Sequence, residues 1–348
     1  MLSAFPQKLH PRLPDLDALL PNFAWLPVDR IRDTLHATTQ YYRATIHHPF
    51  RKHFKSRFPA ANVRRLLEWF STDTIFFDVP AHNDGIPGHG GCTMLQLYAG
   101  VTTHYLAGYP MSSETALPTT FCEFIRKVGA PQGLWSDNAK SETSTMMKDI
   151  HRYYTIDGKQ SEPHYEHQNP VERRIQDVKR ISNNVMDRVG CPSRFWLLCV
   201  LYVISLLNDT MNANGIVPHS AVYGVVTDVS PCLTFHFWQE VFYEEPDSSE
   251  RLGRWVGVAS QSDVLTYQIL THNTEQVVVR SNVCPAKDPL FPNRRARPDT
   301  GSLPTNGGEV NPKPVLTSVS DAHRVDPSVL KQKKFSHDGL LRLTNLHE

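Results

Sequence analysis

Two acidic residues stand where elements of different kind end and begin, and a third lies upstream. Asp137 closes the short apolar run Leu134-Trp135-Ser136, and Glu172 opens a stretch whose apolar residues Ile175, Val178, Ile181 and Val185 recur every three or four positions. Thirty-four residues separate the two. Asp73 lies upstream in Ser71-Thr72-Asp73-Thr74-Ile75-Phe76-Phe77. A carboxylate at a strand end and another at a helix start suit a shared divalent cation. Mg²⁺ takes oxygen ligands and keeps several waters, so two or three carboxylates and a substrate phosphate complete its shell. Asp78 is the rival for the first position, because it too ends the apolar run. Glu166 competes with Glu172 from the loop before the helix. His164 and His167 sit in the same loop, but a site of this kind prefers oxygen to imidazole.

The surrounding pattern must hold these positions. Thr74 to Phe77 is a short β-prone run, followed by the turn-rich His82-Asn83-Asp84-Gly85-Ile86-Pro87-Gly88-His89-Gly90-Gly91. Its glycines are not followed by a helix start or a lysine-serine/threonine pair, so a hairpin loop is expected rather than a phosphate loop. Residues 94–102 and 103–109 read as two antiparallel strands. A helix is expected over 115–128 with Gly129 as its stop, then the strand ending at Asp137, a helix over 143–153 and a strand at 154–156. A loop over 157–170 leads to helices from Val171 to Val189 and from Phe195 to Asp209. Strands followed by alternating strand and helix predict an α/β layer architecture with a mixed sheet.

Upstream, a helix is predicted over 28–46. Beyond it, His47 to Phe58 interleaves basic and aromatic residues in the manner of a phosphate-contacting arm or a solvated linker. Downstream, three β-like pieces between residues 251 and 284 predict a small β module. The expected division is a basic helical segment at 1–66, a core at 67–215, a connector at 216–250, the β module at 251–285 and a mostly disordered tail at 286–348.

Composition narrows the function. The 348 residues carry a formal net charge of only +1, yet residues 1–70 hold 11 Lys/Arg against 5 Asp/Glu. Local basic surface of this kind matters more than net charge for a polyanionic partner. The six cysteines have no C-x-x-C spacing, so neither a disulfide framework nor a thiolate zinc site is expected. The N-terminus lacks the apolar core of a signal peptide, and the 13-residue run Phe195–Leu207 is too short to span a bilayer. An intracellular protein with no membrane partner is expected.

The order of elements and the motifs Ser71-Thr72-Asp73-Thr74, Gly90-Gly91-Cys92-Thr93-Met94-Leu95-Gln96-Leu97, Ser136-Asp137-Asn138-Ala139-Lys140-Ser141, His167-Gln168-Asn169-Pro170-Val171-Glu172-Arg173 and Phe195-Trp196-Leu197-Leu198 carry a resemblance. The chain resembles the retroviral-type integrase core, and within it the copia-type retrotransposon branch, close to versions in diatom and other algal elements. The likeness covers about residues 60–240 and extends loosely to about 285. It implies an RNase H-like fold with a mixed five-stranded sheet flanked by helices. It also implies that Asp73, Asp137 and Glu172 are the catalytic metal ligands for two Mg²⁺ or Mn²⁺ ions, with Asn138 orienting Asp137. Lys179, Gln176, Arg173, Arg180 and Lys140 are the implied DNA contacts. Ser-Thr-Asp-Thr matches the family's first strand better than the sequence around Asp78. The implied activity is Mg²⁺-dependent 3′-end processing and strand transfer on double-stranded DNA by a homo-oligomer, in the nucleus or a cytoplasmic virus-like particle. Departures are the absent histidine-histidine-cysteine-cysteine module, Ala139 in place of a glycine, and Pro170 before the glutamate helix. A polyprotein fragment, or a catalytically inactive relic that keeps nucleic-acid or protein binding, is the alternative.

Overall fold

The structure is a computed structural model, and it describes residues 15–40, 56–136, 144–160, 170–247, 249–259, 265–286 and 343–344. Its first sheet has strands β1 (Trp69–Phe77), β2 (Met94–Gly100), β3 (Leu106–Met111), β4 (Gly133–Ser136) and β5 (Asp157–Gln160) in the order β3-β2-β1-β4-β5. β1, β2 and β3 are antiparallel neighbours, whereas β4 runs parallel to β1 and to β5. The sheet is therefore mixed. The two-residue strand Leu343–Thr344 pairs with Phe76 and Phe77 at the end of β1. Helices α2 (Leu117–Lys127) and α3 (Thr145–Tyr154) cover one face, and α4 (Pro170–Val189) and α5 (Trp196–Asp209) the other.

Each face is legible in the strand alternation. Along β1, Phe70 belongs to the core beneath α2, while Ile75 and Phe77 belong to the core beneath α4 and α5. Successive residues of a strand point to opposite faces, so Asp73 shares the α4 side with Ile75 and Phe77. The helix α4 buries Val171, Ile175, Val178, Ile181 and Val185 in one stripe. By contrast, α5 is buried nearly all round, because it is enclosed by the first sheet, α4 and a second sheet. It lies close on β3: a Cβ at Gly108 would stand 2.7 Å from Ile204 Cδ1. The Trp196 ring stacks on Phe77 with centroids 3.4 Å apart, and its Nε1 donates to Val79 O at 2.8 Å.

Several boundaries differ from those expected. The first helix, α1, runs from Val28 to Ala37, because Thr38 is extended and Thr39 bridges to Asp228; residues 41–46 lie outside the described residues. The strand expected at 154–156 begins at Asp157, after Thr155 turns left-handed at the end of α3. The stretch 216–250 is no mere connector. It holds α6 (Pro218–Tyr223), α7 (Ser230–Thr234) and β6 (Glu240–Glu244). That strand joins β7 (Glu250–Val258), β8 (Tyr267–Thr271), β9 (Val277–Arg280) and β10 (Val283–Pro285) in the antiparallel order β10-β6-β7-β8-β9. This sheet shares one core with α4 and α5 through Tyr202, which meets Phe237 and Trp255. The glycine-rich loop between β1 and β2 docks against it, with Val277 N donating to Asp84 O at 2.7 Å and His89 paired to buried Asp84 at 2.8 Å. No described helix is long and apolar enough to cross a membrane.

Asp209, at the end of α5, is about three-quarters buried. Burial first, and then the neighbouring Asp228 carboxylate, push its pKa up to about 7. The folded state thus favours the protonated acid, and stability contributed by that proton grows as pH falls from above 7 toward the unfolded carboxylate range. Asp209→Asn should therefore be more stable than wild type at pH 8, with the gap closing toward pH 5. Urea unfolding of both proteins across that range checks the sign.

Candidate active site

Asp73 sits mid-strand in β1, opposite Leu97 of β2, and is half-buried. Its place is held by a polar clamp on the other face of the strand. Gln96 is fully buried; its Nε2 donates to Thr72 Oγ1 at 2.6 Å and its Oε1 accepts from Thr74 Oγ1 at 2.5 Å. Thr72 Oγ1 donates in turn to Leu97 O at 3.1 Å. The residues on both sides of Asp73 are therefore tied to β2. Sequence reasoning quoted Gln96 within a motif but gave it no role, because only the strand register shows that it lies between two threonines.

Glu172 lies in the first turn of α4 and is half-buried. At about 100° per residue, Glu172, Lys179 and Gln176 form one flank of the helix beside the apolar stripe. Arg174 and Asp177 form the opposite flank, with Arg173 and Arg180 outermost. The solvent exposure agrees: Gln176, Arg173 and Arg180 are exposed, whereas Lys179 and Arg174 are half-buried. Burial pushes the Lys179 pKa down, and the Asp73 carboxylate pulls it back up, so Lys179, on the Glu172 flank, is within electrostatic reach of Asp73. Arg180 Nη2 donates to Asp177 Oδ1 at 3.1 Å.

Asp78 stands one residue past the end of β1 and is exposed. Its position in the strand alternation is that of Thr74 and Phe76, not that of Asp73. Asp137, Asn138 and Lys140 lie outside the described residues, as do His164, Glu166 and His167. The described chain does reach the threshold of Asp137. β4 ends at Ser136, and Trp135 is the Cα partner of Ser71 in the parallel ladder. Lys159 of β5, opposite Trp135 in register, places its ammonium 4.0 Å from the centre of that indole. The expected strand at 154–156 would put Lys159 in a loop, whereas β5 carries it opposite Trp135.

Asp73 and Glu172 present carboxylate oxygens from a strand and a facing helix, which is the donor chemistry of Mg²⁺ or Mn²⁺ rather than of zinc. No cluster of three or more ligating side chains occurs among the described residues, which exclude Asp137.

No protein-family model matches the chain, and no curated protein matches it. Among solved structures, the chain is similar to one in the cryo-EM structure of the simian T-cell lymphotropic virus intasome in complex with PP2A regulatory subunit B56 gamma. The identity is 14%, over 65% of this chain and 85% of that chain, with a TM-score of 0.34. It is also similar to the HTLV-2 integrase catalytic core domain in complex with magnesium (trimeric form), at 17% identity over 46% of this chain and 100% of that chain, with a TM-score of 0.35. Both likenesses are faint, and the functional reading rests on this chain's own residues.

Replacing Gln96 by leucine removes the amide partner of two threonine hydroxyls, buried Thr72, which keeps Leu97 O, and half-buried Thr74. Each orphaned polar group costs roughly 1–3 kcal/mol. Gln96→Leu should lower unfolding stability by about 1–3 kcal/mol on that basis, measured by chemical denaturation; a loss below about 0.5 kcal/mol would mean that the clamp is not what holds β1.

Proposed function

We propose that the chain is an integrase-type polynucleotidyl transferase of the copia retrotransposon branch, related to diatom and algal elements, with an RNase H-like core. Asp73, Asp137 and Glu172 are its catalytic carboxylates. The observation that carries this reading is the ladder between β1 and β4. The described ladder ends at the pair Ser71–Trp135, and in the sequence Asp73 and Asp137 each follow that pair by two residues. The flank of α4 that bears Glu172 is the one whose Lys179 feels Asp73.

The three carboxylates would hold two divalent cations, which supply activation of the attacking oxygen and stabilisation of the leaving oxygen. Asn138 orients Asp137. Lys179, Gln176 and Lys140 position a DNA phosphate near the carboxylates, while Arg173 and Arg180 extend positive charge along the exposed side of α4. Phosphate contacts of this type fix register without reading sequence, and binding through them is strongly salt-dependent. In the first step water cleaves the 3′ end of the element DNA. In the second, the freed 3′ hydroxyl attacks a target phosphodiester in line. Insertion into both target strands calls for a homo-oligomer, and access to chromosomal DNA calls for the nucleus or a cytoplasmic virus-like particle that precedes entry.

An oligonucleotide strand-transfer assay in Mg²⁺ or Mn²⁺ tests the reading. Wild type should give product, while Asp73→Asn, Asp137→Asn and Glu172→Gln each lower it at least 100-fold. Asp78→Asn should leave it within about twofold. Salt-sensitive DNA binding without product in every protein would instead identify a silent relic of the fold.

A further inference from the structure

The opposite flank of α4 closes a second, separate pocket. It lies between α1, the turn from β2 to β3, α4 and the loop after α5, and its volume is about 30 Å³. One water needs about 10–15 Å³ of such space, so the pocket is larger than a single solvent site. Its polar lining is Arg30, His104, Arg174, Asp177 and Asn212.

Donors dominate that lining. Arg30 Nε donates to Met211 O at 2.5 Å and its Nη2 to Thr210 Oγ1 at 3.4 Å, which leaves Nη1 without a partner among the described residues. Asn212 Oδ1 accepts from the amides of Asn214 and Ile216, while its buried Nδ2 has no partner among the described residues. The Asn214 amide lies 2.8 Å from His104 Nε2. With that nitrogen accepting, the His104 proton sits on Nδ1. Arg174 Nη1 stands 3.9 Å from Asp177 Oδ2, beyond hydrogen-bond range. Asp177 is the single acceptor of formal charge in the pocket, and it faces Arg30 and Arg174 while also paired with Arg180. Two guanidinium groups line the pocket against one carboxylate, while Arg180 pairs with that carboxylate from the exposed side and Glu68 acts on His104 from beyond the lining. Burial lowers the Arg30 pKa, and Arg174 and Arg180 push it the same way against Asp177.

We propose that this pocket binds a phosphate group, held by Arg30 and Arg174 with His104 and Asn212 completing its hydrogen bonds. An anion is the partner that uses the unpaired donors and cancels the excess charge. The phosphate is a backbone phosphodiester if the chain binds DNA as proposed above, in which case the duplex touches both flanks of α4; a free phosphate has the same chemistry.

The test uses Arg174→Gln, and Asn212→Asp as a second variant that keeps the loop hydrogen bonds and turns the unpaired donor into an acceptor. Arg126→Gln on α2 removes one charge from the opposite face of the sheet as a control. Inorganic phosphate, compared with chloride at equal ionic strength, should raise the Tm of wild type and the control. Either pocket variant should weaken that response about tenfold, as expected for the loss of one charge-assisted hydrogen bond. Duplex DNA binding by fluorescence anisotropy supplies the second arm. If Arg174→Gln also lowers the slope of log affinity against log salt by about one, the phosphate is that of the backbone. If only inorganic phosphate responds, the pocket serves the free anion. Equal protection of wild type and both variants by phosphate would overturn the site. Neither readout needs strand transfer, so loss of that activity and loss of this site are told apart.

Discussion

The seating of one amphipathic helix governs this molecule. α4 lays Val171, Ile175, Val178 and Val185, each fully buried, against the face of β1 that carries Ile75 and Phe77. Truncating Ile175 to alanine would open a cavity costing roughly 2–5 kcal/mol, and truncating any of the valines somewhat less. Because the stripe is narrow, its seating also sets what stands on either side. Glu172 and Lys179 are brought to the Asp73 side, and Arg174 and Asp177 to the α1 side. Both candidate polar sites are thus consequences of a single hydrophobic contact.

The other supports keep that contact from sliding. α5 lies behind α4, close enough for Cys199 Sγ to reach Ser182 O at 3.6 Å, and small side chains at this crossing permit the approach. Trp196 ties the start of α5 to the end of β1, and Asn208 ties its other end to β3 by donating to and accepting from Leu106 at 2.8 Å each. On the far face of β1, Gln96 locks the threonines that flank Asp73. Asp73 and Glu172 are therefore carried on rigid elements, a strand and a helix. The second sheet takes part as well. Its Trp255 and Tyr267 complete the core around α5, and Arg194 and His82 meet Glu275 at its edge.

Some of this was readable from residue order alone. The three- and four-residue recurrence of apolar positions marked α4, a 13-residue apolar run marked α5, and short β-prone runs marked β1, β2 and β3. Those patterns are legible because helix and strand periodicities are local properties of the chain. Glu172 is marked by its place at the start of a periodic helix, whereas Asp73 is chosen over Asp78 by resemblance. The failures were also local in origin. The weak strand at 157–160 has no apolar run to mark it, and β6 was absorbed into a connector because its five residues, Glu240–Glu244, gain their strand character from pairing with β7 and β10.

By itself the sequence determined the mixed α/β order, the amphipathic stripe of α4 and the place of Glu172 in that helix's first turn. Only the tertiary structure decided which flank of α4 meets Asp73, that Gln96 stands between Thr72 and Thr74, and that Arg30 reaches across 181 positions to Met211 beside a donor-lined pocket. The division has one physical reason. Backbone geometry repeats every few residues and so writes itself into composition. A hydrogen bond between distant segments leaves no periodic trace, and it exists only once hydrophobic packing has brought its partners together.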